Sequence, residues 1–418
     1  MLAPRINALD PTRSRKSSTI SPPQAECPVS GARTALPGSF GRRLCADMAV
    51  LAPRVGSLAT ALVCGLLLCA CQSVHRGAQP LDWITVSAEN QHFILVSSGR
   101  RFIPWGFNYD HDHKMRLIEE YWDAEWPTVV EDFREMKDLG ANVVRVHLQF
   151  AKFMDAADQP NERSLKQLAR LLKLAEQTGL YLDLTGLGCY RKADAPRWYD
   201  EMNEADRWRA QARFWEAVAE TCKDSPAVFC YDLMNEPFVP VRPRDPGDWL
   251  TGHLGDFHFV QALTLDPAGR TPPQVAEQWA AQLTAAIRRH DRRHLITVGL
   301  LPISGPDVVK AIAPHLDFIA VHEYPKSGEL EKSLERLKVF NVGKPLLIEE
   351  MFPLACTAEE LGQFIQRSSP PASGWMGFYW GQTPEQLRQA GGIAEAMVLG
   401  WLKRFQELNP NRQVEGRQ

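Results

Sequence analysis

Two glutamates in this chain follow short apolar runs that read as strands. Glu236 comes after Val228–Leu233 in YDLMNEPFVP, the stretch from Tyr231 to Pro240, and Glu350 comes after Leu346–Ile348 in KPLLIEEMF. An amide, a carboxylate and a proline in succession are groups that a buried strand avoids. Asn235-Glu236-Pro237 therefore reads either as a polar turn or as the point where a strand emerges into a site. Two carboxylates facing one bond are what cleavage of a glycosidic linkage needs: one acid to protonate the departing oxygen and one anion to attack the anomeric carbon.

Other chemically capable residues take the same place in their segments. Asn108 and Asp110 follow the strand-like run Phe102–Phe107. Arg145 and His147 close Asn142–Leu148, and Thr185 closes Tyr181–Thr185. His322 ends Phe318–His322, with Tyr324 just beyond, and Trp380 ends Trp375–Trp380. Each alone has a plainer reading, as a core histidine, a core tryptophan or a solvated carboxylate. Their joint placement at one kind of position is what needs a structural cause.

That cause is an alternation of strands and helices. After a hairpin (Trp83–Val86, His92–Val96), strand-like runs alternate with segments whose apolar residues recur at helical spacing. Val129, Val130, Phe133, Met136 and Leu139 mark one such helix, stopped by Gly140, and Leu165, Leu168, Leu172 and Ala175 mark the next, stopped by Gly179. Further helices are expected over 205–222, 274–290, 330–339, 358–366 and 393–405, with a short one at 307–313. Eight strand–helix units over roughly 310 residues predict an α/β fold, a closed (β/α)₈ barrel of the TIM type with an N-terminal β-hairpin. A barrel places its functional groups at the C-terminal ends of its strands, where these residues stand. The Pro- and Gly-rich insertion Phe238–Pro272, with Trp249, His253, Phe257, His258 and Phe259, reads equally as an aromatic cover for a cleft or as a packed surface loop.

The motifs themselves carry a likeness. Asn235-Glu236-Pro237 after an apolar strand resembles the Asn-Glu-Pro signature of clan A retaining glycosidases, and the pattern from Trp83 to Phe405 is most similar to glycoside hydrolase family 5. The resemblance implies that Glu236 is the acid/base and Asn235 a ligand of the sugar 2-hydroxyl. Aligning Lys344-Pro345 with the family's Lys-Pro puts the nucleophile at Glu350 rather than Glu349. It further implies that Arg145 and Tyr324 hydrogen-bond the nucleophile, that His322 is a site histidine, and that Trp380 is the floor under the sugar at subsite −1. Asn108 and His147 join these as expected substrate contacts, with Asp110 beside them. Many members carry a histidine where this chain has Thr185, which bears on sugar specificity. The expected activity is hydrolysis of a β-linked poly- or oligosaccharide such as mannan or β-glucan by double displacement, with no metal or organic cofactor. The alternative is a carbohydrate-binding lipoprotein without turnover.

The N-terminus points to export. The segment from Met48 has a basic residue, Arg54, an apolar run from Leu58 to Ala70 and then Cys71. This is the form of a secretory signal and too short an apolar run to span a bilayer comfortably. Leu68-Cys69-Ala70-Cys71 resembles a bacterial lipobox, which implies a lipid anchor at Cys71 and a place in the cell envelope, on the periplasmic or outer-membrane side, or secretion. The expected organisation is a disordered leader or mis-assigned start (1–47), a signal peptide (48–70), an anchor linker (71–82), the catalytic barrel (83–408) and a tail (409–418). Eight of the 47 basic and three of the 50 acidic residues precede Cys71, so the rest carries 39 against 47, a net of −8. A chain this acidic has no footprint for nucleic acid, and a monomer acting on a carbohydrate is expected. Of nine cysteines, only Cys189, Cys222, Cys230 and Cys356 follow the leader, without zinc spacing. Cys222 and Cys230 read equally as a disulfide or as buried thiols.

Overall fold

In the computed structural model, which describes residues 80–412, eight parallel strands close into a barrel. They are β1 (Trp105–Tyr109), β2 (Val143–Gln149), β3 (Tyr181–Gly188), β4 (Val228–Asn235), β5 (Leu295–Leu300), β6 (Ile319–His322), β7 (Leu346–Glu350) and β8 (Ala372–Phe378), ordered around the barrel as in the sequence. β1 pairs with both β8 and β2, and β4 with β5, so no edge remains. The strands are buried along their whole length. This explains their near-continuous apolar character, since helices cover the outer face of a parallel sheet.

The helices stop where local chemistry says they should. In Glu162–Thr178 the Asn161 side chain accepts from the Ser164 N–H and Gly179 takes the left-handed conformation at φ 68°. The last helix, Ile393–Leu408, lays Phe405 against Trp105 with ring centroids 4.0 Å apart. The two expected strands of the N-terminal hairpin are Ile84–Val86 and Phe93–Leu95, and a third, Arg101–Phe102, pairs with the second. This meander plugs the bottom of the barrel: Phe93 meets Phe229 (5.1 Å) and Phe318 (5.0 Å) edge to face.

One expectation needs correction, and an open reading of two cysteines is decided. The first barrel strand is not Phe102–Phe107 but Trp105–Tyr109, because Pro104, without an N–H, separates the meander from the barrel. Within the insertion, Leu250–Leu254 and Phe257–Ala262 form a hairpin, and Pro237–Phe238 pairs with its second strand. Cys222 and Cys230 are buried free thiols, not a disulfide. The proposed leader, signal and anchor at Cys71 lie outside the described residues.

Candidate active site

Glu236 sits one residue past β4 with a positive φ of 46°. A side chain in this left-handed region costs about 1–2 kcal/mol, a strain typical of functional sites. The conformation is held by the Glu236 N–H donating to the Gly299 carbonyl (2.9 Å) and by the Gln261 N–H donating to the Glu236 carbonyl (3.4 Å). Pro237 follows at once. The turn expected after the strand and the emergence of the strand into a site are thus one feature.

Glu350 closes β7 on the other side of the barrel. Its Oε1 accepts from Arg145 Nη1 at 2.5 Å, and its Oε2 accepts from the Tyr324 hydroxyl at 2.7 Å. His322 Nδ1 lies between the two glutamates, 2.9 Å from Glu236 Oε1 and 3.3 Å from Glu350 Oε2. One oxygen of each glutamate lies within 4.8 Å of the other's. Burial alone would lower the His322 pKa, but Glu350, Glu236 and Glu349 outweigh it and push it up to about 10. His322 is therefore a cation near neutral pH and donates from both ring nitrogens, Nε2 toward Glu349 Oε2 at 3.2 Å.

Beneath this pair lies a layer that the sequence did not announce. Arg145, with no exposed surface, also donates to Asp232 (2.7 Å), Asn235 (2.9 Å) and Asn108 (2.8 Å). Asp232 further accepts from the Thr185 hydroxyl (2.8 Å) and the Gly299 N–H (2.7 Å). Asp183, Asp232 and Glu349 bring one oxygen each within 4.8 Å of one another. Burial first, and then Glu349, push the Asp183 pKa well above the usual carboxylate range, and burial and Glu349 raise Asp232 to about 6. Burial opposes charge on Glu349 too, but Arg145 and His322 hold its pKa below the ordinary value. Both Asp183 oxygens and Glu349 Oε1 are buried without a partner, and a proton held on Asp183 would relieve the repulsion between these two acids. Both groups of three have metal-type donors; in the upper one His322 already bridges the carboxylates, and in the lower one Arg145 already pairs with Asp232 and Glu349. Gly299 makes the room, since a methyl there would come within 2.7 Å of Glu349 Oε2 and His322 Nε2.

The expected site residues divide between these two levels. Glu236, Glu350, Tyr324, Trp380 and His147 line a cavity of about 340 Å³ together with Asp110. Asn108 does not: its amide donates to the Glu349 and Gly377 carbonyls (2.8 and 2.9 Å), which makes it a buttress under the site. Asn235 lies beside Glu236 with its amide held by the Phe259 carbonyl (2.9 Å). Thr185 is wholly buried and serves Asp232 instead of reaching the cavity. Asp183, Asp232, Gly299 and Tyr190 went unread, and Glu349 was read only as the glutamate that is not the nucleophile. An aspartate inside each of the apolar runs YLDL and YDLM was the available signal. A larger, mostly apolar cavity of about 460 Å³ lies beyond Pro237, between Phe238, Trp279 and Ile303, and holds no carboxylate pair.

Residues 108–350 match the family model for cellulase (glycosyl hydrolase family 5). The chain belongs to glycosyl hydrolase family 5. Membership places it among enzymes that hydrolyse O-glycosyl bonds. No curated protein sequence matches the chain. Among solved structures, similar folds include exo-beta-1,4-mannosidase Op5Man5 from Opitutaceae bacterium strain TAV5 (18% identity, TM-score 0.58, 80% of this chain and 63% of that one). Others are a beta-1,4-mannanase from the sea hare Aplysia kurodai (15%, 0.53, 78% and 96%) and a beta-glucanase from Saccharophagus degradans (14%, 0.53, 80% and 96%). This chain thus spans under two thirds of the exo-mannosidase's length. At such identities the likeness is one of fold.

Proposed function

We propose that this family 5 protein is a retaining β-glycosidase acting on a mannan- or β-glucan-derived saccharide. The observation that carries the reading is the carboxyl pair at the ends of β4 and β7, one oxygen of each within 4.8 Å of the other's. Retaining enzymes hold their carboxyl groups roughly 5–5.5 Å apart, whereas inverting enzymes need roughly 6.5–9.5 Å to admit a water. The names of the structural neighbours, mannanases, an exo-mannosidase and a glucanase, support the substrate class.

In this reading Glu350 attacks the anomeric carbon as the C–O bond to the leaving group breaks, and the leaving oxygen takes the proton of Glu236. Arg145 and Tyr324 hold one oxygen each of Glu350, which aims the carboxylate for attack. With Glu350 neutral as a glycosyl ester, Glu236 accepts a proton from water. The resulting hydroxide displaces Glu350, and the sugar leaves with its configuration retained. Trp380, held by its Nε1–H donating to Asp110 Oδ1 at 3.1 Å, supplies the apolar floor on which the sugar ring stacks.

The test is incubation with 2-fluoro β-mannosyl and β-glucosyl inactivators followed by peptide mass spectrometry. Label on the peptide carrying Glu350 is expected. An intact, folded protein that takes no label from either sugar is a binder without turnover, and the reading fails.

A further inference from the structure

The rim of the cavity is closed on one side only. From Tyr190, after β3, ring contacts pass to Phe259 (centroids 5.2 Å apart) and Phe257 (6.2 Å). They continue to His111 after β1 (5.7 Å), to Trp380 after β8 (5.7 Å, rings nearly parallel) and to Phe352 after β7 (5.1 Å). The aromatic belt therefore covers the arc from β3 past β2, β1 and β8 to β7. Phe257 and Phe259 belong to the insertion hairpin, which is tied to the end of β3 and the loop after it by one side-chain and one backbone bond. The His258 N–H donates to the Tyr190 carbonyl (2.7 Å), and Gln261 Nε2 donates to the Leu187 carbonyl (2.8 Å). Among the described residues, none of β5 or of the loop after it lines the cavity. The open arc lies beside Glu236.

Direction follows from the chemistry. The acid stands where the leaving group departs, so the aglycone leaves through the open arc. A glycone longer than one ring would have to continue past Trp380, where the belt stands. Two polar groups wait at this closed end. Asp110, only 8% exposed, has its Oδ1 on Trp380 Nε1 and its Oδ2 3.7 Å from His111 Nε2. His147 is buried with Nδ1 on the Tyr190 hydroxyl, and its Nε2 has no partner. A buried polar atom without a partner, as His147 Nε2 is, is costly, and both groups line the cavity. A sugar hydroxyl would satisfy His147, and the Asp110 carboxylate keeps lone pairs free to accept from another. The terminal ring at a non-reducing end has free hydroxyls at this position, whereas an internal ring has a glycosidic link. The cavity volume of about 340 Å³ is at the small end of ligand pockets, roughly 300–1,000 Å³.

We propose that the enzyme is exo-acting, removing one sugar at a time from the non-reducing end. The belt of Tyr190, Phe259, Phe257, His111 and Trp380 closes the glycone side, and Asp110 and His147 bind the hydroxyls of the terminal ring. The proposal rests on the glycosidase reading above, and its test separates the two. Manno- and gluco-oligosaccharides of several lengths, labelled at the reducing end, are digested beside aryl β-monoglycosides and beside chains whose terminal 4-hydroxyl is methylated. The expected first products are a monosaccharide and a labelled chain one unit shorter, with loss of cleavage on the methylated chains. Asp110→Asn should raise KM for the free-ended oligosaccharides about tenfold, as loss of a hydrogen bond to a charged group predicts. First products of two or more sugars, or cleavage of the methylated chains, overturn exo action while leaving the glycosidase reading intact. No cleavage of any substrate together with no label on Glu350 overturns both.

Discussion

His322 shows at the scale of one residue how the site is held. Its ordinary pKa is 6.5, and its carboxylate neighbours raise the folded value to about 10. The stability that its charge contributes is therefore complete below pH 6.5 and is lost as pH rises through about 10. His322→Gln should be less stable than the parent by a few kcal/mol at pH 6, with the gap narrowing toward pH 10. Thermal unfolding across that range checks it, and a gap independent of pH would mean that His322 is not held as a cation. The two glutamates separate by leaving group. Glu236→Ala should slow glycosides with poor leaving groups by about 10²–10⁴-fold and those with good ones far less, because only poor leaving groups need the proton. Glu350→Gln should slow both alike. Equal losses in both variants would remove the acid from Glu236. The residues of this pair were legible in the sequence because each breaks the rule of an apolar strand. Asp183 and Asp232 break it as well, but an aspartate flanked by apolar residues does not say that its partner is Arg145 from a neighbouring strand.

At the scale of elements, the meander and the insertion hairpin close opposite ends of the barrel. Phe93 is fully buried at the bottom between Phe229 and Phe318. Phe93→Ala should cost about 3–5 kcal/mol, read as a shift in the midpoint of denaturant unfolding. A shift under about 1 kcal/mol would mean that the meander is not part of the barrel's core. The eight strands and most helices were legible because their apolar periodicity and glycine stops are local properties. Barrel strand one was misplaced because apolar residues run on both sides of Pro104, and only the pairing shows that Phe102 and Trp105 serve different sheets. The hairpin inside the insertion was hidden by its Pro and Gly content.

At the scale of the whole molecule, no helix among the described residues is long and apolar enough to cross a membrane; separately, we propose from the lipobox-like Leu68-Cys69-Ala70-Cys71 that a lipid at Cys71 anchors the chain. Cys71→Ser, expressed in a bacterial host with the signal intact, should move the enzyme from the membrane pellet to the soluble fraction. Retention in the pellet would remove the anchor. The sequence by itself determined the class of the molecule: alternating strand and helix patterns imply a parallel sheet that eight units fit best as a closed barrel, and carboxylates at two strand ends point to the chemistry, because periodicity and side-chain type are carried residue by residue. The tertiary structure alone decided which groups meet. Glu349 and Glu350 are adjacent in the chain, yet one is buried on Arg145, Asp183 and His322 and the other faces the cavity. Phe257 and Trp380, more than a hundred residues apart, stand in one wall through His111. Contacts of this kind depend on barrel closure and strand register, which no local pattern encodes.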